Sequence, residues 1–274
     1  MDHDGKPGSR KTHYDSNYGN FQTALYEEIR REAFGEDIGQ NSWLTAGEQD
    51  KFLRWLNLAS GMVLLDVACG AGGPALRVAA LTGCSVVGVD THESAIATAN
   101  RLASERGLAG RAEFRVADAA QRLPFADESF DAVTCIDAIN HLPDRERVMS
   151  EWTRVLKRDG RVLFTDPIVM TGPLTNEEVA IRSSAGFYLF VPAGYAESVM
   201  SKCGLRVLAS ENVTRNMAEV AGRRRAARAA REAALRDVEG DAGYEGQQTY
   251  LGVASLVAEE GRLSRFVFVA EKAG

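Results

Sequence analysis

Three glycines and one acid carry the densest chemical signal in the chain. Gly70, Gly72 and Gly73 stand in ACGAGG, directly after the apolar run 63–67, and Asp90 closes a second apolar run at 86–89. Glycine lets a backbone turn sharply and approach a ligand with no Cβ in between. Pro74 suits the first turn of the helix that follows. Ligands of open α/β sheets bind outside the carboxyl ends of the strands, where an acid can accept two hydrogen bonds from ribose hydroxyls. The spacing therefore predicts a nucleoside-bearing cofactor, with Gly70 and Gly72 in the turn, Asp90 on the ribose and Thr91 beside it. The plainer alternative is a pair of turn glycines and a solvated strand-end acid, although the helix N-terminus behind the turn also favours an anion. Asp66, inside the first run, reads as an orienter of the turn through side-chain-to-backbone hydrogen bonds.

A second cluster lies further along, in DAINHLPD. His141 sits just past an apolar run at 132–136. Its imidazole suits a general base near neutral pH, deprotonating an amine or hydroxyl. A packing or capping histidine accounts for the same position equally well. Tyr14, Tyr18 and Tyr26 are candidate tyrosine partners for it. Asp137 and Asp166 end apolar runs and are conceivable metal ligands, but no third oxygen ligand accompanies them, so no metal is expected. The arginines at 223, 224, 225, 228 and 231 read as a solvated helix face; the sharper alternative is recognition of a phosphate or carboxylate by guanidinium forks. Phe187, Tyr188, Phe190 and Tyr195 suit either an apolar substrate pocket or core.

The glycine pattern alone leaves two cofactors open. Gly70-x-Gly72-x-x-Ala75 satisfies the dinucleotide fingerprint, with an acid ~20 residues on. The longer context separates them. LLDVACGAGG resembles the first motif of class I S-adenosylmethionine-dependent methyltransferases, with Ala68 where a glycine is frequent. VVGVDTHESAIATAN is similar to the second motif. FRVADAAQRLPFADESFDAVTCIDAINHLPD and VLKRDGRVLFTDP resemble the third to fifth, in family order between residues 63 and 167. The resemblance implies that the cofactor's methionine carboxylate lies near the Gly70 turn. It also implies that Asp118 accepts from the adenine amino group with the Ala119 backbone nearby, and that the Ile136 carbonyl meets the cofactor's ammonium. AFGEDIGQNSW resembles the segment that closes over the methionine end, which brings in Ser42. Phosphoethanolamine, sarcosine/dimethylglycine and natural-product methyltransferases share these features, and in the first of these the histidine at the position of His141 takes part in catalysis.

Periodicity supplies the elements that must hold these residues. Strands are expected at 63–67, 85–89, 113–117, 132–136, 160–165, 205–211 and 264–271. Helices are expected at 21–33, 46–58 (with Thr45 as N-cap), 74–81, 94–106, 145–156 and 192–203. Residues 171–190 show no clear strand. Strands alternating with helices predict a parallel sheet covered on both faces. The resemblance refines this to a Rossmann-like, seven-stranded, mostly parallel sheet with an antiparallel edge hairpin. The expected organisation is a disordered stretch at 1–13, a helical cap at 14–60 and a core at 61–274. Lid segments are expected at 167–192 and, as a helical insertion within the hairpin, at 214–261.

Composition narrows the function classes. A chain of 274 residues is long enough for one α/β domain with insertions. The net charge of −6 disfavours a nucleic-acid partner. No apolar run approaches the ~18 residues a membrane span needs, and no signal-peptide pattern opens the chain, so the expected location is cytoplasmic. Cys69, Cys84, Cys135 and Cys203 lack metal-ligand spacing and read as small apolar residues in a reducing compartment. The expectation is thus a methyltransferase using S-adenosylmethionine on an N, O or C nucleophile of a small molecule. A metal-dependent O-methyltransferase, an NAD(P)-dependent oxidoreductase and a non-catalytic cofactor-binding protein remain as alternatives, and a homo-oligomer is left open.

Overall fold

A computed structural model describes residues 20–273. The chain enters through α1 (Ala24–Phe34) and α2 (Ala46–Leu56). It then alternates through β1 (Val63–Val67), α3 (Gly73–Thr82), β2 (Ser85–Asp90), α4 (Glu93–Glu105) and β3 (Ala112–Val116). Next come β4 (Phe130–Cys135), a 3-10 turn (Ile139–His141), α5 (Arg145–Val155), β5 (Leu156–Met170) and α6 (Asn176–Arg182). The rest is β6 (Val191–Pro192), α7 (Tyr195–Lys202), β7 (Leu205–Asn212), α8 (Thr214–Ala229), α9 (Glu232–Glu259) and β8 (Leu263–Lys272).

The sheet runs β3-β2-β1-β4-β5-β8-β7, with the two-residue β6 also pairing β5. All neighbours from β3 to β5 are parallel, and β8 is antiparallel to both β5 and β7. The Rossmann-like sheet with its antiparallel edge is therefore the one expected. The strand order reverses between β1 and β4, which opens a crevice at their carboxyl ends. Alternation along β1 fills both faces. Leu64 packs with Leu76, Ala99 and Phe114 under α3 and α4, while Leu65 and Val67 pack with Val133, Met149 and Trp152 under α5.

Three regions depart from the expected elements. β5 starts at Leu156 and ends at Met170, longer than 160–165 at both ends. Buried Leu156 pairs with Phe130, and the ladder resumes at Ala132 with Arg161, so pairing absorbs the Asp159-Gly160 turn signal as an irregularity. The segment at 171–190 contains α6, opened by a capping box between Thr175 and Glu178. That Ser/Thr-x-x-Glu signature stands in TNEE, but the seven residues of the helix are too few for an apolar period to show. α7 begins at Tyr195, three residues after 192, behind Gly194 at φ 85°.

The insertion between β7 and β8 forms α8 and α9, with a break at Gly240 (φ 74°, ψ 165°). These helices pack on α1, and Val257 of α9 also meets Ile168 of β5 and Leu263 of β8. Ala33, Phe34 and Trp43 share a core with Met217, Val220 and Leu251. Asn216 Nδ2 donates to the Trp43 carbonyl (2.8 Å) and to Glu48 Oε2 (3.0 Å), tying α8 to the segment before α2 and to α2 itself.

Candidate active site

Two adjoining cavities open at the carboxyl ends of β1, β2 and β4. The larger, of about 410 Å³, lies within the size range of small-molecule sites. The smaller measures about 60 Å³, roughly two water volumes at ~30 Å³ each. Asn41, Ser42, Asp137, His141 and Ala185 line both, so the cavities meet at these residues.

Gly70 (φ 55°) and Gly72 (φ 76°) adopt left-handed conformations that glycine tolerates best. Gly70 lines the larger cavity; Gly72 stands behind it, where a Cβ would come within 2.8 Å of the Ala99 Cβ. Gly73 is fixed by close approach, since a Cβ there would meet the Ile38 carbonyl oxygen at 2.3 Å. The turn is held by Asp90. Its Oδ2 accepts from the Gly70 amide at 2.9 Å, and its Oδ1 accepts from the His92 amide and lies 2.9 Å from His92 Nδ1. Burial would raise the Asp90 pKa, but the His92 ring and the His92 and Gly70 amides outweigh it and bring it below the ordinary value.

Asp66 holds the turn less directly than expected. Its Oδ1 accepts from the Thr134 hydroxyl at 2.8 Å, and the turn amide goes to Asp90 instead. Asp66 still lines the larger cavity, and burial pushes its carboxyl up to about 7. Thr91, Asp118, Ala119, Ile136 and Ser42 line the same cavity. Asp118 Oδ1 caps its own turn, accepting from the Ala120 amide at 2.8 Å. Of the cofactor residues expected from the sequence, Gly72 alone is absent from the cavity wall.

His141 stands where the cavities join. Its Nδ1 lies 3.0 Å from the Phe187 carbonyl, and its ring meets Tyr188 edge-on at 4.7 Å. A carbonyl only accepts, so Nδ1 carries the proton and Nε2 the basic lone pair. Burial holds the pKa below the usual histidine value, with the Phe187 carbonyl and Asp90 opposing it. The neutral ring therefore dominates at pH 7. Asn140, beside it, has its side-chain oxygen buried without a hydrogen-bond partner and lines the smaller cavity.

The tyrosine beside His141 is Tyr188. Tyr26 instead donates to Glu239 in a separate cluster with Leu235 and Tyr244. Tyr14 and Tyr18 lie outside the described residues. Asp137 and Asp166, considered as metal ligands, are each engaged by a buried arginine. Asp166 pairs with Arg145, both fully buried. Asp137, at φ 53°, accepts from Arg265 Nε (2.6 Å), the Thr165 hydroxyl (2.7 Å) and the Trp43 amide (2.9 Å). Among the described residues no group of three His, Cys, Asp or Glu is arranged to hold a metal.

Arg265 was missed in the sequence. Fully buried on β8, it also reaches both Glu48 oxygens at 2.7 and 2.8 Å, binding α2, β4 and β8 together under the junction of the cavities. Its signal was a lone arginine in the otherwise apolar run of LSRFVFVA. The arginine run of α8 is also less solvated than expected. Arg223 donates to the Ala33 carbonyl, Arg228 to Glu239, and Arg231 to Glu32, while Arg224 lines the smaller cavity.

The comparisons with known proteins agree with this architecture. A methyltransferase-domain family matches residues 65–164. The chain is 32% identical over 204 residues to methyltransferase GfsG of Streptomyces halstedii, spanning 68% of this chain and 72% of that one. It is 28% identical over 201 residues to the 27-O-demethylrifamycin SV methyltransferase of Amycolatopsis mediterranei (strain S699), over 69% and 74% of the two chains. The fold is similar to Haemonchus contortus phosphoethanolamine N-methyltransferase 2 solved with phosphomonomethylethanolamine and S-adenosylhomocysteine. That superposition has a TM-score of 0.80 at 23% identity, covering 96% of this chain and 60% of the other.

Proposed function

The chain belongs to the methyltransferase family, an enzyme using S-adenosylmethionine on small molecules, and on that premise we propose that it methylates a hydroxyl group whose proton His141 removes. The observation that carries this reading is His141 at the meeting of the two cavities, with its Nδ1 3.0 Å from the Phe187 carbonyl. One relative, the 27-O-demethylrifamycin SV methyltransferase, supports an oxygen nucleophile.

The larger cavity is assigned to the cofactor. Its volume, the left-handed Gly70 turn and the ionised Asp90 fit a nucleoside bearing an amino-acid tail. Asp90 would hold the ribose, Gly70 the methionine carboxylate, Ile136 the ammonium, and Asp118 with Ala119 the adenine edge. Asp66, Thr91 and Ser42 would complete the wall, with Gly72 shaping the turn from behind. S-adenosylmethionine supplies an electrophilic methyl on a sulfonium. The protein aligns the nucleophile, excludes water and takes one proton. Asn140 and His141 supply the polar atoms that orient the hydroxyl, and Asp137, fixed by Arg265, holds the Trp43 segment over the junction.

The test uses methyl-labelled S-adenosylmethionine and a panel of matched alcohols, phenols and amines, with product mass as readout. His141→Ala is expected to lower turnover by roughly 10²–10⁴-fold with cofactor affinity little changed. Because the neutral ring is the base and its pKa is depressed, wild-type rates should rise with pH through a midpoint below ~6.5 and flatten above it. That limb should vanish in the variant. Wild-type turnover in His141→Ala, or methylation of amines alone, would overturn the reading.

A further inference from the structure

The smaller cavity has a cation on its wall and a second one behind it, neither of them hydrogen-bonded to an acid among the described residues. Arg224 lines it and makes no hydrogen bond or ion pair with any described residue. Two rings of the same wall, Trp43 and Tyr250, stack at 6.4 Å. Against them lies Arg182, its guanidinium 4.6 Å from the Tyr250 ring and 5.8 Å from Trp43. Arg182 is fully buried, and all three of its guanidinium nitrogens lack a hydrogen-bond partner.

A buried guanidinium without an acid is costly, and proteins normally pair it. Here the nearby acids are already committed. Glu239 is held by both Arg228 nitrogens at 2.9 and 2.6 Å and by the Tyr26 hydroxyl, and Asp37 by Arg30 at 2.8 Å. Asp137 is engaged by Arg265, Thr165 and Trp43. Desolvation and the neighbouring Arg228 pull the Arg224 pKa down to about 10, so it stays charged at pH 7. Two cations thus stand at or behind one wall, and neither is hydrogen-bonded to an acid among the described residues; Glu239 acts on Arg224 only through its field. Beside them the buried Asn140 side-chain oxygen also lacks a partner. A cavity of about 60 Å³ holds a planar group of about three heavy atoms more readily than a phosphate.

We propose that the methyl acceptor carries a carboxylate, seated in the smaller cavity on Arg224 with Arg182 supplying field from behind the Trp43–Tyr250 wall. This rests on the methyltransferase reading above and narrows it to a hydroxy acid. A guanidinium offers a carboxylate two parallel donors, which fixes orientation as well as charge. The anchor would hold the acid while the hydroxyl faces His141.

The test titrates ¹³C-acetate, inorganic phosphate and acetamide into the protein loaded with S-adenosylhomocysteine, at constant ionic strength, with binding read by ligand NMR. Calorimetry with S-adenosylhomocysteine runs on the same samples. The expected result is saturable acetate binding to the wild type, no acetamide binding and weaker phosphate binding. Arg224→Gln should weaken acetate binding at least tenfold, Arg224→Lys should restore most of it, and cofactor affinity should be unchanged in both. Absent acetate binding, or acetate binding equal in Arg224→Gln, overturns the inference; so does phosphate binding tighter than acetate. Loss of S-adenosylhomocysteine binding by the wild type instead marks failure of the methyltransferase reading.

Discussion

The two cavities are built on opposite principles. Around the larger one the charged groups are satisfied within the protein. Asp90 alone collects the Gly70 amide, the His92 amide and the His92 ring, and Asp66 has the Thr134 hydroxyl. At the smaller one stand the orphaned Asn140 oxygen and Arg224, which is hydrogen-bonded to no described residue, with the orphaned Arg182 guanidinium behind the Trp43–Tyr250 wall. A satisfied acid is held in place before the ligand arrives. An orphaned cation instead lowers stability until something binds. The difference teaches that the first cavity is organised by its own backbone, whereas the second is completed by its occupant.

The largest expected effect that bears on this contrast concerns Asp90. Asp90→Ala removes both the proposed ribose acceptor and the acid that holds the Gly70 amide at 2.9 Å. S-adenosylhomocysteine binding should weaken by about 1.5–3 kcal/mol, roughly 10- to 150-fold. Calorimetry checks it, and unchanged affinity would remove Asp90 from the cofactor assignment. The acid also sets a pH dependence. Its folded pKa is depressed, so its contribution to stability is present above the unfolded value near ~3.9 and is lost as pH falls through the lower folded value.

The same contrast explains what was legible in the sequence. The glycine turn, Asp90 and His141 could be read because each sits at the end of a local strand pattern. Gly70 and Asp90 are twenty residues apart and belong to one β-α-β unit. The smaller cavity draws on Trp43, His141, Tyr188, Arg224 and Tyr250, from five separate stretches of chain. Arg265 reaches Asp137 across 128 positions and Glu48 across 217. No periodicity reports such pairings: the cavity wall depends on how α8 and α9 pack on α1, and the Arg265 contacts on where β8 and α2 meet the end of β4. In α8 that tertiary packing also divided a run of like arginines into a capper of a carbonyl, a buried ion pair and a cavity wall.

A sharper probe of the unsatisfied side is Arg182→Met, which keeps the stem and deletes the orphaned charge. Replacing an unpaired buried ion with an apolar side chain should stabilise the fold by about 1–3 kcal/mol, reduced by lost ring contacts worth up to ~2 kcal/mol. The net expectation is a rise of roughly 2–4 °C in melting temperature per kcal/mol gained. Acceptor binding should weaken at the same time. A variant that melts lower than wild type would mean that Trp43 and Tyr250 compensate the guanidinium and that the two cavities are not built differently.

The smallest effect tests whether the satisfied side is also free of strain. Ala68 follows β1 directly, adopts φ 57°, in the left-handed region, and lines the larger cavity. This is the position where the resembling motif frequently carries glycine. A left-handed residue with a Cβ costs about 1–2 kcal/mol. Glycine relieves that strain but loses more chain entropy on folding, about 0.5–1 kcal/mol. Ala68 is exposed, so removal of the methyl forfeits no burial. The two quantities partly cancel, leaving Ala68→Gly between neutral and about 1.5 kcal/mol more stable. Urea denaturation resolves a change of that size when the slope is unaltered. A loss above ~1 kcal/mol would show that the Ala68 methyl packs more strongly than its backbone is strained. A gain with S-adenosylhomocysteine affinity unchanged would place the strain in the fold alone. A gain with weaker affinity would mean that the alanine stiffens the turn toward its ligand-bound shape, so that even the satisfied cavity keeps one residue under tension for the cofactor.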